Sequence, residues 1–125
     1  KPLFTTAQTF KYLTLKENNF WIIYTNSSYK NPESLDEYPI LKKHLDSFQP
    51  IITSSNKPYG LHRARKEDFF KGTKIISLRK CSNEPTFSYA NFDTYLTQTY
   101  NIIKTNRIHQ KYLVAILNSK LVKLP

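Results

Sequence analysis

The chain predicts an α+β fold: a single compact domain with a mixed, mainly antiparallel sheet of about five or more strands and two main helices, over about 39–48 and 108–121. Three observations lead there. Short runs of aromatic and branched residues recur between turn formers, and two stretches repeat their apolar residues at helical spacing. The length, 125 residues with 39% hydrophobic and 14% aromatic content, supports one core rather than two.

The first two runs, "TFKYLTL" (9–15) and "FWIIYT" (20–25), read as a strand pair turning through "KENN". "SSYKNPESLDEYP" carries turn formers without an apolar period. Pro39 suits the first position of a helix, where its missing N–H would have no partner anyway. From Pro39 to about Phe48, the residues Ile40, Leu41, His44, Leu45 and Phe48 form one stripe, predicted to be buried. "QPIITSSNKPYG" reads as a strand end running into a loop that Pro58 and Gly60 keep irregular. "RKEDFFKG" predicts one helical turn ending at Gly72, and "KIISLRK" a buried strand with a cationic exit. "TFSYA" and "YLTQTYNIIKT" (95–105) read as further strands. Phe87 and Tyr89 alternate along the first of them, with Phe87 expected in the core. In "IHQKYLVAILNSKLV" a helix capped by Asn106 would bury Ile108, Tyr112, Leu113, Ile116, Leu117 and Leu121.

Charge is concentrated in one segment. The chain has 19 Lys and Arg against 9 Asp and Glu, a net +10. Such an excess points to an anionic partner such as nucleic acid. Residues 1–56 hold six cations against five carboxylates, a net +1, whereas residues 57–80 hold eight against two, a net +6. Lys outnumbers Arg 15 to 4, so Arg63, Arg65 and Arg79 stand out. A guanidinium binds phosphate or a guanine edge through two parallel hydrogen bonds, which an ammonium cannot do. The other reading of these arginines is ion pairing with Glu67, Asp68 or Glu84.

Several classes of chemistry lack their residues. No run approaches the roughly 18 apolar residues of a membrane span, and no signal-peptide core follows Lys1, so a cytoplasmic protein without a membrane partner is expected. Cys81 is alone and is expected to be a buried, inert thiol. Two glycines, Gly60 and Gly72, do not make a phosphate cradle or an adenosylmethionine loop. His44 and His109 are expected in core or cap roles. A metal site on His62, Arg63, Glu67 and Asp68 is conceivable, but the two carboxylates fit better as the start of a helical turn, where negative charge is favoured. Most enzyme hypotheses therefore fail for want of their residues, while a small metal-dependent nuclease stays open. Nucleic-acid binding remains, with Lys57, Tyr59, His62, Arg63, Arg65, Lys66, Arg79, Lys80, Tyr89 and Asn91 as candidate contacts.

Four blocks in order, "EYPILKKHLDSFQPII", "YGLHRARKEDFFKGTKIISLRK", "PTFSYANFDTYLTQTYNII" and "KYLVAILNSKL", resemble the TaqI-like C-terminal specificity domain, from about Phe20 to Leu124. Tyr59 departs from the family pattern, which often has Trp there. The resemblance implies the target recognition region of a type IIG restriction-modification enzyme or related adenine-N6 DNA methyltransferase, in a bacterium. It implies double-stranded DNA as partner, together with a methyltransferase domain of the same polypeptide. S-adenosylmethionine, and Mg²⁺ where the parent cuts DNA, would belong to that parent, and this fragment itself would hold no catalytic residue, metal site or bound cofactor. A chain without Met that stops directly after a helical pattern agrees with a domain, residues 1–125, excised from a larger protein. The resemblance also implies that Lys74, Ile75, Asn118 and Ser119 serve the fold. A type I specificity subunit is the nearest alternative; a small basic nuclease and an RNA-binding module belong to other classes.

Overall fold

The computed structural model describes residues 1–79 and 85–120. The fold is α+β, with two helices and two sheets that are mixed and mainly antiparallel. The backbone gathers into two compact units: residues 1–22 with the chain from Glu67 onward, and residues 23–66.

The first unit holds all the strands among the described residues. β1 (Pro2–Leu3) pairs antiparallel with β3 (Phe20–Trp21), and β2 (Tyr12–Leu13), β4 (Lys74–Leu78), β5 (Phe87–Ala90) and β6 (Tyr100–Ile103) form a four-stranded sheet in the order β2-β5-β4-β6. β4 lies antiparallel to β5 and β6, while β2 is parallel to β5. The expected pairing of the first two runs through "KENN" does not form. The 9–15 segment folds back on itself, Leu15 N–H donating to Gln8 O at 2.8 Å, and Thr14 N–H then donates to Tyr89 O at 2.9 Å. β3 is drawn instead to the N-terminus, where Ile22 N–H donates to Lys1 O at 2.8 Å. Strand propensity marks both runs, but the partner of each lies far away in sequence.

β4 is the buried strand its apolar run predicts. Lys74, Ile75 and Ile76 are buried, as are Phe4, Phe70 and Tyr95 of the same core. Phe70 stacks on Tyr95 at 5.0 Å between ring centres. "RKEDFFKG" supplies a 3₁₀ turn, Glu67–Phe70, with Glu67 and Asp68 at its start, and Gly72 follows in the left-handed region at φ 65°. The 95–105 run is a strand only over β6; Tyr95 makes an isolated bridge to Leu3.

α2 (Gln110–Leu117) lies against β5 and β4. Its N-cap is His109, whose Nδ1 accepts from Lys111 N–H at 3.3 Å, so the cap falls three residues beyond Asn106. Its buried face is centred on Val114 and Asn118 rather than on Tyr112, which is 62% exposed. Those two share a face with Leu117, at the i, i+3, i+4 spacing of a helix. Leu121 lies outside the described residues.

The second unit is built from 3₁₀ turns at Ser27–Lys30, Pro32–Leu35 and Gln49–Ile51, around α1 (Pro39–Asp46). Pro39 does open the helix. The stripe it begins is not buried: Ile40 is 87% exposed and His44 and Phe48 are exposed, with Leu41 and Leu45 half-buried. Helical period assigns residues to a common face, but it does not decide whether that face is covered. The expected strand end at "QPII" is the 3₁₀ turn Gln49–Ile51, because Pro50 has no N–H to give a sheet ladder. Leu35 and Tyr59 are the buried apolar residues of this unit.

Candidate nucleic-acid interface

The first part of the charged segment, residues 57–66, ends the second unit as an irregular loop, and its shape follows from polar residues. Ser54 Oγ accepts from Asn56 N–H at 3.0 Å and donates to Gly60 O at 2.7 Å. Asn56 Nδ2 donates to Leu61 O at 2.9 Å, and Gly60 N–H donates to Asn56 O at 2.9 Å. Gly60 is needed because a Cβ there would come within 2.7 Å of Asn26 O and of Asn56 Cβ. Thr25 completes the frame, its Oγ1 donating to Tyr59 O at 2.6 Å and its carbonyl accepting from Leu61 N–H at 3.0 Å. Backbone groups that a loop would ordinarily leave to water are therefore paired internally.

Tyr59 anchors this frame from inside. It is 7% exposed, its N–H donates to Tyr29 O at 3.3 Å, and its hydroxyl donates to Asp46 Oδ1 at 2.6 Å. The bond to Asp46, with burial, raises the phenol above its ordinary pKa. Tyr59 thus supports the loop from behind and offers no ring face for stacking. Around it Lys57, His62, Arg63 and Lys66 are exposed. Arg63 has φ 50°, the left-handed region that a side chain of this size seldom occupies. Arg65 is half-buried, and its carbonyl accepts the Tyr24 hydroxyl. Within this unit the structure thus gathers Lys57, His62, Arg63 and Lys66 on one internally bonded loop.

The remaining candidates lie in the first unit and are not brought together. Arg79 is exposed beyond the C-terminal end of β4, its N–H donating to Thr99 O at 2.7 Å. Asn91 is exposed just past β5, and the pairing of Lys74 with Ala90 sets it at the opposite end of the same two strands. Tyr89 and Phe87 are both half-buried: residues two apart on a strand share a face, so the expected alternation between them does not arise. The Tyr89 ring carries Lys111 Nζ at 5.6 Å from its centre, a residue that composition gave no reason to single out. Lys80 and Cys81 lie outside the described residues.

Glu67 is engaged structurally. Its carboxylate accepts the Tyr95 hydroxyl and pairs with Lys1 at 3.6 Å, and these contacts, the Tyr95 bond foremost, lower its pKa. Among the described residues no group of three or more His, Cys, Asp or Glu could hold a metal ion. Nor is any described helix long and apolar enough to cross a membrane.

A basic α+β chain with exposed cations on an internally bonded loop has the features expected of a nucleic-acid-reading domain. Residues 8–124 match the family model of the TaqI-like C-terminal specificity domain, and the chain belongs to that family. Membership implies interaction with DNA and a part in recognising DNA targets in restriction-modification enzymes, and it is consistent with a non-catalytic role for this chain. No curated protein and no solved structure matches the chain.

Proposed function

We propose that residues 1–125 are the target recognition domain of a bacterial, cytoplasmic type IIG restriction-modification enzyme. In this reading the domain holds double-stranded DNA while an adenine-N6 methyltransferase domain of the same polypeptide extrudes and modifies its base. The observation that carries the proposal is the loop from Ser54 to Lys66, where Lys57, His62, Arg63 and Lys66 stand exposed on a hydrogen-bonded frame. Lys57, Arg63 and Lys66, fixed in this way, can grip phosphates in register without first paying to order the loop.

The methyl donor belongs elsewhere in the parent. Gly60 is closed in by Asn26 and Asn56, and Gly72 follows a turn at φ 65°, which supports placing that donor outside this chain. The chain's own contribution is binding and register, with phosphate contacts from the cations and base contacts from loop side chains.

Binding of the chain to duplex DNA across a salt series tests this. Each neutralised phosphate contributes about 0.9 to the log–log slope, so the Lys57→Ala/Arg63→Ala variant should flatten the slope by about 1.8. A folded chain that ignores duplex DNA at low salt, or a slope unchanged in the variant, would remove the loop from the interface.

A further inference from the structure

The second unit contains a cleft of about 470 Å³, of the size that small-molecule sites occupy. Its apolar wall includes Phe48, Ile52 and Leu61, and the Phe48 ring is exposed and meets His44 in a T-shaped contact, 5.2 Å between ring centres. The hydroxyls of Thr25, Ser54 and Tyr59 border the cleft but are engaged, on the Tyr59 carbonyl, the Gly60 carbonyl and Asp46. Other polar groups of the lining are not. Among the described residues the Thr53 hydroxyl, the ring nitrogens of His44 and Nε2 of His62 make no hydrogen bond. The lining run from Pro58 to His62 is bracketed in sequence by two exposed cations, Lys57 before it and Arg63 after it.

These features together define the chemistry of an occupant. A hydrocarbon, or an apolar side chain of a partner protein, would bury the polar groups without partners and leave both cations unmatched. A free phosphate would have no use for the apolar wall. A nucleobase in a strand satisfies all three: its face stacks on an aromatic ring, its edge gives and takes hydrogen bonds, and the phosphates on either side of it answer the cations. Threonine and histidine side chains can each donate or accept, so the cleft suits base edges as a class and selects no single base.

A base inside a duplex has its faces covered by its neighbours, so only one that has left the stack can enter. A domain that holds DNA during base extrusion meets such a base, because the former partner of the extruded adenine is left unpaired. Resting on the DNA-holding role proposed above, we infer that this cleft receives a DNA base that has lost its pairing, its ring against Phe48 and its edge toward Thr53, His44 and His62, with Lys57 and Arg63 on the flanking phosphates.

Titration of the 125-residue chain against two duplexes, one fully paired and one carrying a single unpaired nucleotide at its centre, tests the inference. The wild type should bind the second about tenfold more tightly, since stacking of the base is gained without the cost of unpairing it. An abasic residue in place of the unpaired nucleotide should bring affinity back to that of the paired duplex. Phe48→Ala should remove most of the preference, and Phe48→Leu, which keeps the wall apolar but loses the aromatic face, decides the matter should a thermal melt show Phe48→Ala unfolded. Equal wild-type affinity for the two duplexes, a preference that survives in the abasic duplex, or one that survives in the folded Phe48 variant overturns the inference and leaves DNA binding standing. A mixture of deoxynucleoside monophosphates that displaces the wild type from the second duplex but not from the first would give the cleft to free nucleotides and overturn it as well. A folded chain that binds neither duplex at low salt overturns the DNA-holding role itself, and the inference with it.

Discussion

Asn118 grips Phe87 by both of its backbone groups. Its Oδ1 accepts from Phe87 N–H at 2.9 Å and its Nδ2 donates to Phe87 O at 2.8 Å, so the end of α2 acts as an additional partner to the first residue of β5. Nδ2 also donates to Val114 O at 3.0 Å, and the residue is buried. Asn118→Ala would leave part-buried backbone groups without partners, at a cost of about 3 kcal/mol. Asn118→Asp should be at least as damaging, because a carboxylate cannot donate to Phe87 O. Urea unfolding of the two variants beside the wild type checks both; a loss below 1 kcal/mol in Asn118→Ala would mean water replaces the contact.

The two glycines should respond differently to the same substitution. At Gly60 the added methyl meets backbone and Cβ atoms that cannot turn aside, so Gly60→Ala should cost about 3 kcal/mol and disturb the loop that carries Lys57, His62 and Arg63. Gly72 has open space around it but φ 65°, so Gly72→Ala should cost only about 1 kcal/mol of backbone strain. Duplex DNA affinity should fall in the first variant beyond its loss of folded protein and persist in the second. Equal stability of the two variants would contradict the packing seen at Gly60.

β4 and α2 were legible because each is a dense apolar run whose period admits one assignment. The turn at Glu67–Phe70 was legible too, from its leading carboxylates and the following Gly72. The pairing of β1 with β3 was not, since two-residue strands carry no register signal and their partners lie about 20 residues apart. In α1 the period shows the helix but not its burial, because a stripe does not name what covers it. At the candidate interface the charge was plain in the sequence, as was the run of turn formers before it. The inward placement of Tyr59 depends on Asp46, thirteen residues earlier, and the orientation of His62 depends on Ser55, seven residues earlier, in a segment without period. Contacts of that kind arise only once the loop has closed.

Tyr59 and Asp46 supply a prediction at high pH. Tyr59→Phe keeps the buried ring and loses one hydrogen bond to an exposed carboxylate that water can satisfy, so it should cost about 1 kcal/mol near neutrality. The folded-state pKa of the phenol is raised above its unfolded value near 10. Between the two values the native state binds more protons than the unfolded state. The contribution is therefore full below about pH 10 and is lost as pH rises through the folded value. The difference in stability between wild type and Tyr59→Phe should accordingly shrink above pH 10, and a constant difference would show that the phenol is not held neutral.

Lys74 carries a dependence of opposite sign. Its side chain is buried, with Nζ donating to Phe92 O at 2.7 Å and to Thr94 Oγ1 at 3.1 Å. Burial lowers its pKa from 10.5 to about 8; nearby Asp93 opposes the shift and Lys104 adds to it. A cation disfavoured in the folded state is a full penalty below about pH 8, where both states are protonated. As pH rises the native state releases its proton first, so the unfolded state binds more protons and stability increases until about pH 10.5. Between pH 7.5 and pH 10 the wild type should gain about 2 kcal/mol relative to Lys74→Met, which has no proton to lose. Phe92 O keeps a donor in that variant, since Thr94 Oγ1 also donates to it at 2.8 Å, so the variant should fold. Other lysines and tyrosines titrate in both proteins and cancel in the difference. Urea unfolding at the two pH values reads it directly: parallel changes in wild type and Lys74→Met would mean the ammonium is solvated in the native state, and the gain assigned to its burial would be absent.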